Sequence, residues 1–161
     1  MEEENSACPE GVVDVSVVVP CCFENPLKPY SITFLSEVLK QKKKALIPVA
    51  TILGAYHITT RYLRVPRITA KKILQGILDS GSPALYPYTS THAAIDALDY
   101  ASTYNIESWD GYLISVARSQ GTTIVYSLDR ELSKVRETAV VNPFPEGAVE
   151  QYHKFLNSRI K

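Results

Sequence analysis

The sequence predicts an α/β fold, a three-layer α/β/α sandwich around a central parallel sheet. Three observations predict it. Short β-branched runs alternate with longer amphipathic segments, which is the pattern of βαβ units. The first run, Gly11-Val-Val-Asp-Val-Ser-Val-Val-Val19, is apolar without alternation, as in a strand covered on both faces. The length, 161 residues, suits one domain.

Residues 1–10 are acidic, contain Pro9 and read as a loose, flexible tail. Residues 11–19 read as strand one, closed by Pro20, with Asp14 in its middle. A loop with two prolines follows. Ile32, Leu35, Val38 and Leu39 then form a helical stripe over 30–40. Lys42, Lys43 and Lys44 suit the end of that helix, where carbonyl groups are unpaired. Residues 45–47 are a second strand. Pro48 opens a helix over 49–64, since proline is tolerated in a first turn, and Pro66 ends it. Residues 68–78 are a further amphipathic helix, stopped by Gly81. Residues 83–86 form a weak third strand. A helix over 89–104 can be capped by Ser90 or Thr91. Another spans 107–119 and ends before Gly121. Residues 122–126 are a clear strand, 128–135 a short helix and 138–141 a last strand. The helix over 146–158 carries Val149, Tyr152, Phe155 and Leu156 on one face. The expected organisation is a tail (1–10), a domain (11–142) and a C-terminal helical extension (143–161).

Hydrophobic residues make up 45% and charged residues 21%, as in ordinary globular proteins. Lys plus Arg and Asp plus Glu are 17 each. That balance argues against binding nucleic acid by bulk charge, while leaving room for a local site. Cys8, Cys21 and Cys22 make neither a disulfide framework nor a zinc motif. They fit a reducing setting. No apolar run is long enough for a bilayer, and Glu2, Glu3 and Glu4 have the wrong charge for a signal peptide. A cytoplasmic protein is expected.

Three aspartates break the apolar patterns. Asp14 interrupts strand one, and a buried carboxylate is costly unless paired or bound to a cation. Asp110 falls in the first turn of a helix, beside the only tryptophan. Asp129 follows the 122–126 strand, 19 residues after Asp110. Each has a plainer reading as a helix cap or N-terminal helper charge. Taken together, right-handed crossovers bring all three to one sheet edge. Carboxylates meeting there call for a hard divalent cation with oxygen ligands, and such a site suits phosphoryl displacement.

These residues lie in three short motifs: Val13-Asp14-Val15-Ser16, Ile106-Glu107-Ser108-Trp109-Asp110-Gly111 and Tyr126-Ser127-Leu128-Asp129. In order, spacing and placement they resemble the PIN-domain family, which includes the VapC-type toxin ribonucleases. The family pattern is Asp-x-Ser/Thr, then a helix with Asp-Ala or similar, then Thr/Ser-x-Asp. The match covers residues 11–142. The resemblance implies a PIN-like sheet flanked by helices and an endoribonuclease dependent on Mg²⁺ or Mn²⁺. It implies that Asp14, Asp110 and Asp129 are catalytic and carry the metal, with Ser16 and Ser127 as supporting hydrogen-bond donors. It also implies RNA as substrate, products with 3′-hydroxyl and 5′-phosphate ends, a homodimer, and a cognate antitoxin partner. One position departs. The family usually has a glutamate about six residues after a strand-ending proline, where this chain has Gly54 after Pro48. Glu24 or Glu107 are substitutes to consider, and a close helix–sheet contact is the plainer account of the glycine.

His57 and Arg61 share a helical stripe with Gly54 and are candidates for substrate contact. The Lys40–Lys44 run reads first as a solvated helix end and second as an RNA-backbone contact. His92, Asp96 and Asp99 share a face of the 89–104 helix, an everyday surface pattern and a second possible metal site. Cys21 and Cys22, just past strand one, read as small buried residues near the site. Three functions remain open: a metal-dependent ribonuclease, a catalytically impaired PIN domain that binds RNA or protein because of Gly54, and a structural α/β domain in which the aspartates are caps.

Overall fold

The structure, a computed structural model, describes residues 8–159. Residues 1–7 of the expected tail lie outside the described residues. The elements run β1 (Gly11–Val13), α1 (Val15–Val18), α2 (Lys28–Leu39), β2 (Ala45–Pro48), α3 (Val49–Arg61), α4 (Arg67–Asp79), β3 (Leu85–Tyr86), α5 (Thr91–Tyr104), α6 (Ser108–Ser119), β4 (Ile124–Tyr126), β5 (Ala139–Val141) and α7 (Glu146–Arg159). Two 3-10 turns, Val19–Cys22 and Arg130–Lys134, complete them.

The strands form one parallel sheet in the order β3-β2-β1-β4-β5. Val12 pairs with Leu46 on one side and Val125 on the other, so β1 is central. Successive residues of a strand face opposite layers. Val13 and Tyr126 enter the core under α1, α2, α3, α4 and α7, with Phe34, Ile52, Leu74 and Tyr152. Val12 and Val125 enter the core under α6, with Tyr112, Leu113, Val116 and Ala117. This is the expected three-layer α/β/α architecture.

The first apolar run is only partly strand. β1 ends at Val13, and Asp14 turns the chain by accepting a hydrogen bond from the Val15 amide at 2.7 Å. Val15, Val17 and Val18 then lie in a helical turn whose sides are all covered. Full burial removes the alternation by which strand and helix are told apart, so the run alone could not locate this boundary.

The C-terminal helix is not an appendage. Tyr152 is buried, and its ring and that of Phe155 each lie 6.4 Å from Phe23. Val149, Phe155 and Leu156 pack against the same core. The apolar face expected on this helix is therefore spent within the chain rather than offered as an interface.

Candidate functional site

The sheet order fixes where a site can form. β2 and β3 lie to one side of β1, and β4 and β5 to the other. The chain reverses direction between β1 and β4, and ligands bind parallel sheets beyond the strand ends at such a point. Asp14 ends β1, and Asp129 lies just beyond β4. Asp110 sits in the first turn of α6, which leads back to the start of β4. All three line one cleft of about 1060 Å³.

Asp14 is 5% exposed and held from three directions. Its Oδ1 accepts the Val15 amide. Its Oδ2 accepts the hydroxyls of Ser16 at 2.8 Å and Ser127 at 2.7 Å. Each serine oxygen in turn accepts a backbone amide at 2.9 Å, Leu128 for Ser16 and Asp129 for Ser127. The two serines thus clamp the turn after β1 to the turn after β4. Hydrogen bonds of this kind fix the orientation of a buried carboxylate. Asp129 Oδ1 accepts the Glu131 amide at 2.9 Å, so Asp129 is both a cap and a cleft residue. The capping and functional readings of Asp14 and Asp129 are compatible, since a carboxylate has two oxygens.

Asp110 differs. Burial first, and then the charges of Asp14, Asp129, Glu107 and Glu131, push its carboxyl up from 3.8 to about 7. Every cause raises it, as where like charges share a site without a counter-ion. Glu107 lines the cleft, as one of the substitute acids considered for position 54. Glu24 does not; it pairs with Lys28 on the surface.

The donor chemistry fits a hard cation: four of the lining residues, Asp14, Glu107, Asp110 and Asp129, offer carboxylate oxygens. Among the described residues no three His, Cys, Asp or Glu side chains stand close enough to hold one ion together. Mg²⁺ keeps several waters when bound, so a few carboxylates and waters complete its shell. Asp14, Asp110 and Asp129 would share it only through intervening waters.

Gly54 also lines the cleft. A Cβ there would lie 3.0 Å from Trp109 Cζ2 and 3.0 Å from Val15 Cγ2. The expected close contact exists, but with side chains of α6 and α1 rather than with the sheet. The Trp109 indole covers the place where a longer residue at 54 would begin, and its N–H is buried without a hydrogen-bond partner. Gly54→Glu is therefore expected to lose about 1–2 kcal/mol, since overpacking outweighs the gain of replacing a helical glycine. In a double-mutant cycle, thermal denaturation should show Gly54→Glu costing less in a Trp109→Ala background. Equal cost in both backgrounds would remove Trp109 as the cause.

Other expected contacts divide. His57 lines the cleft. Arg61 is exposed and outside the lining, and Tyr62 borders the cleft in its place. The Lys40–Lys44 run precedes β2, at the sheet edge opposite the acids, and Lys43 Nζ lies about 5.1 Å from the Tyr126 ring centre. His92 and Asp96 form an exposed pair at 3.6 Å on α5, away from the cleft. Cys21 and Cys22 are buried with sulfurs 3.9 Å apart, and Cys21 borders a different hollow with Lys28. Sequence reasoning gave no site role to Leu53, Trp109, Tyr152, His153 or Leu156, all of which line the cleft. Trp109 had a signal, its place beside Asp110. The α7 residues had none, because their position depends on how α7 docks.

No family model matches the chain, and no curated protein matches it. Among solved structures it is similar to PAE2754 from Pyrobaculum aerophilum, with a TM-score of 0.57 and 19% identity over 94% of this chain and 96% of that one. At that identity the likeness is one of fold. Among the described residues no helix is long and apolar enough to cross a membrane.

Proposed function

We propose that this protein is a PIN-type endoribonuclease that hydrolyses RNA phosphodiesters with Mg²⁺ or Mn²⁺, acting in the cytoplasm. The observation that carries the reading is the assembly of Asp14, Asp110 and Asp129 in one cleft at the switch point of the sheet, with Asp14 clamped by Ser16 and Ser127. A bound cation would offset the crowded charge and polarise a phosphodiester and its attacking water.

The chain's own residues do the positioning. Ser16 and Ser127 fix the Asp14 carboxylate before substrate arrives, which avoids reorganisation during the reaction. Capping of the Arg130–Lys134 turn fixes the backbone of Asp129. Asp110 is presented to the cleft from the first turn of α6. Trp109 and Leu53 form part of the cleft wall. Three free cysteines agree with a reducing compartment. A cognate antitoxin and a homodimer belong to the same proposal.

Labelled single-stranded RNA incubated with Mn²⁺, Mg²⁺ or chelator tests the reading. Cleavage should need the cation, leave 5′-phosphate ends, and fall on the order of 100-fold or more in Asp14→Asn. Cleavage that survives both chelator and Asp14→Asn would overturn it. A second reading, binding of RNA or protein without cleavage, is favoured by one observation: the indole of Trp109 fills the space over Gly54. It predicts metal binding and RNA binding by the wild type with no product.

A further inference from the structure

We infer that the non-acidic limb of the same cleft seats one unpaired nucleobase, with Tyr62 as its stacking partner. The inference rests on the phosphodiesterase reading and adds what the cleft recognises. The cleft that holds the carboxylates is also lined by Leu53, Ile58, Tyr62, Leu63, Tyr152 and Leu156. Leu53 is 67% exposed and Tyr62 65% exposed, although both are large apolar side chains beside an acidic floor. The His57 ring stands edge-on to Tyr62, 5.8 Å between centres at 85°, so the two form an aromatic corner at the rim. At about 1060 Å³ the cleft has the size of a small-ligand site.

Charge selects the occupant. Among the described residues lining the cleft there is no lysine or arginine, and Asp14, Asp110, Asp129 and Glu107 are acids. A polyanion gains nothing here from cationic contacts of the usual kind. Beyond what a bound cation gives the phosphate, affinity comes from an uncharged part of the substrate that lies within one nucleotide of it. A base meets both conditions, since every base has a π-face that stacks on an aromatic ring. A paired base in a helix has no free face to offer. An apolar peptide or a second copy of the chain would cover Leu53 and Tyr62 equally well, but neither accounts for the continuity of this limb with the carboxylates.

The test uses the full chain and a set of short single-stranded RNAs, each with one abasic position moved along the strand. Binding and cleavage are measured for wild type, Tyr62→Ala and Tyr62→Phe, together with oligomeric state by sedimentation. For wild type, one abasic position should weaken binding roughly tenfold. Tyr62→Ala should erase that difference by raising KM with little change in kcat, and Tyr62→Phe should keep it. Tyr62 is exposed at the end of α3, so its truncation leaves the core intact. RNA cut or bound with no abasic position standing out would overturn the inference and leave the phosphodiesterase reading in place. Conversion of a wild-type dimer to monomer by Tyr62→Ala would overturn it and assign the patch to a second copy. Absence of both RNA binding and cleavage would overturn the phosphodiesterase reading itself.

Discussion

Asp110→Asn is expected to make the protein more stable and, under the proposed function, to remove metal-dependent cleavage. Burial and four neighbouring carboxylates hold Asp110 at about 7, against 3.8 for the ordinary group. A carboxyl raised in the folded state favours folding most at low pH, where it is protonated in both states. That advantage is lost as pH rises from about 4 to about 7, because the unfolded chain ionises freely and the folded one resists. Above that window the wild type carries the full penalty and the asparagine variant carries none. Asp110 is only partly buried, so after discounting for solvent screening the gain is about 1 kcal/mol, or roughly 2–4 °C in Tm for a domain of this size. With chelator present, the difference between variant and wild type should be near zero at pH 4, grow through pH 7 and then level off. Mn²⁺ should raise the wild-type Tm and raise that of the variant much less, since a cation relieves repulsion that the variant lacks. A variant less stable than wild type at pH 8 would mean that Asp110 is paired in the fold rather than crowded.

This opposition between stability and chemistry explains what could be read from the sequence. Asp14 and Asp129 stand out only because they break apolar or strand patterns, and their capping bonds are local events with sequence signatures. Ser16 and Ser127 lie within two residues of them, so the clamp was legible once the two turns were placed at one edge. The sheet order was not. Nothing in the β-branched runs says that β4 rather than β3 lies beside β1, yet that pairing creates the switch point between Asp14 and Asp129.

Long-range packing hid the remainder. The pattern at residues 11–19 fits strand and helix equally once every side is covered, so the turn at Asp14 had to be supplied by its bond to Val15. The amphipathic face of 146–158 was plain, but its partner Phe23 lies far away in sequence, and with it the contribution of Tyr152 and His153 to the cleft. Gly54 stood out in the sequence as a departure from the pattern that the chain resembles. That Trp109 packs against position 54 follows from the approach of α6 to α3, which no spacing encodes.

Gly111→Ala is expected to be among the most damaging single-methyl changes in the chain. A Cβ at this position would lie 2.2 Å from the carbonyl oxygen of Ala97, with the Ala97 carbon at 3.1 Å and its Cα at 3.3 Å. All three are backbone atoms, so no side chain can turn aside; α5 and α6 must separate. Ala97 is the buried residue of α5, so separation exposes the helix's main anchor. A loss of about 3 kcal/mol or more follows, roughly 6–12 °C in Tm. Gly76, in the middle of α4, supplies the opposite sign: a Cβ there meets nothing within 4 Å, so Gly76→Ala should gain about 0.5–1 kcal/mol from helix propensity. The two substitutions are chemically identical and differ only in what stands opposite. Because Gly111 follows Asp110, the damage should reach the site, and the Mn²⁺-induced rise in Tm should shrink in Gly111→Ala and persist in Gly76→Ala. Wild-type stability in Gly111→Ala would mean that α5 and α6 do not approach as closely as these distances require.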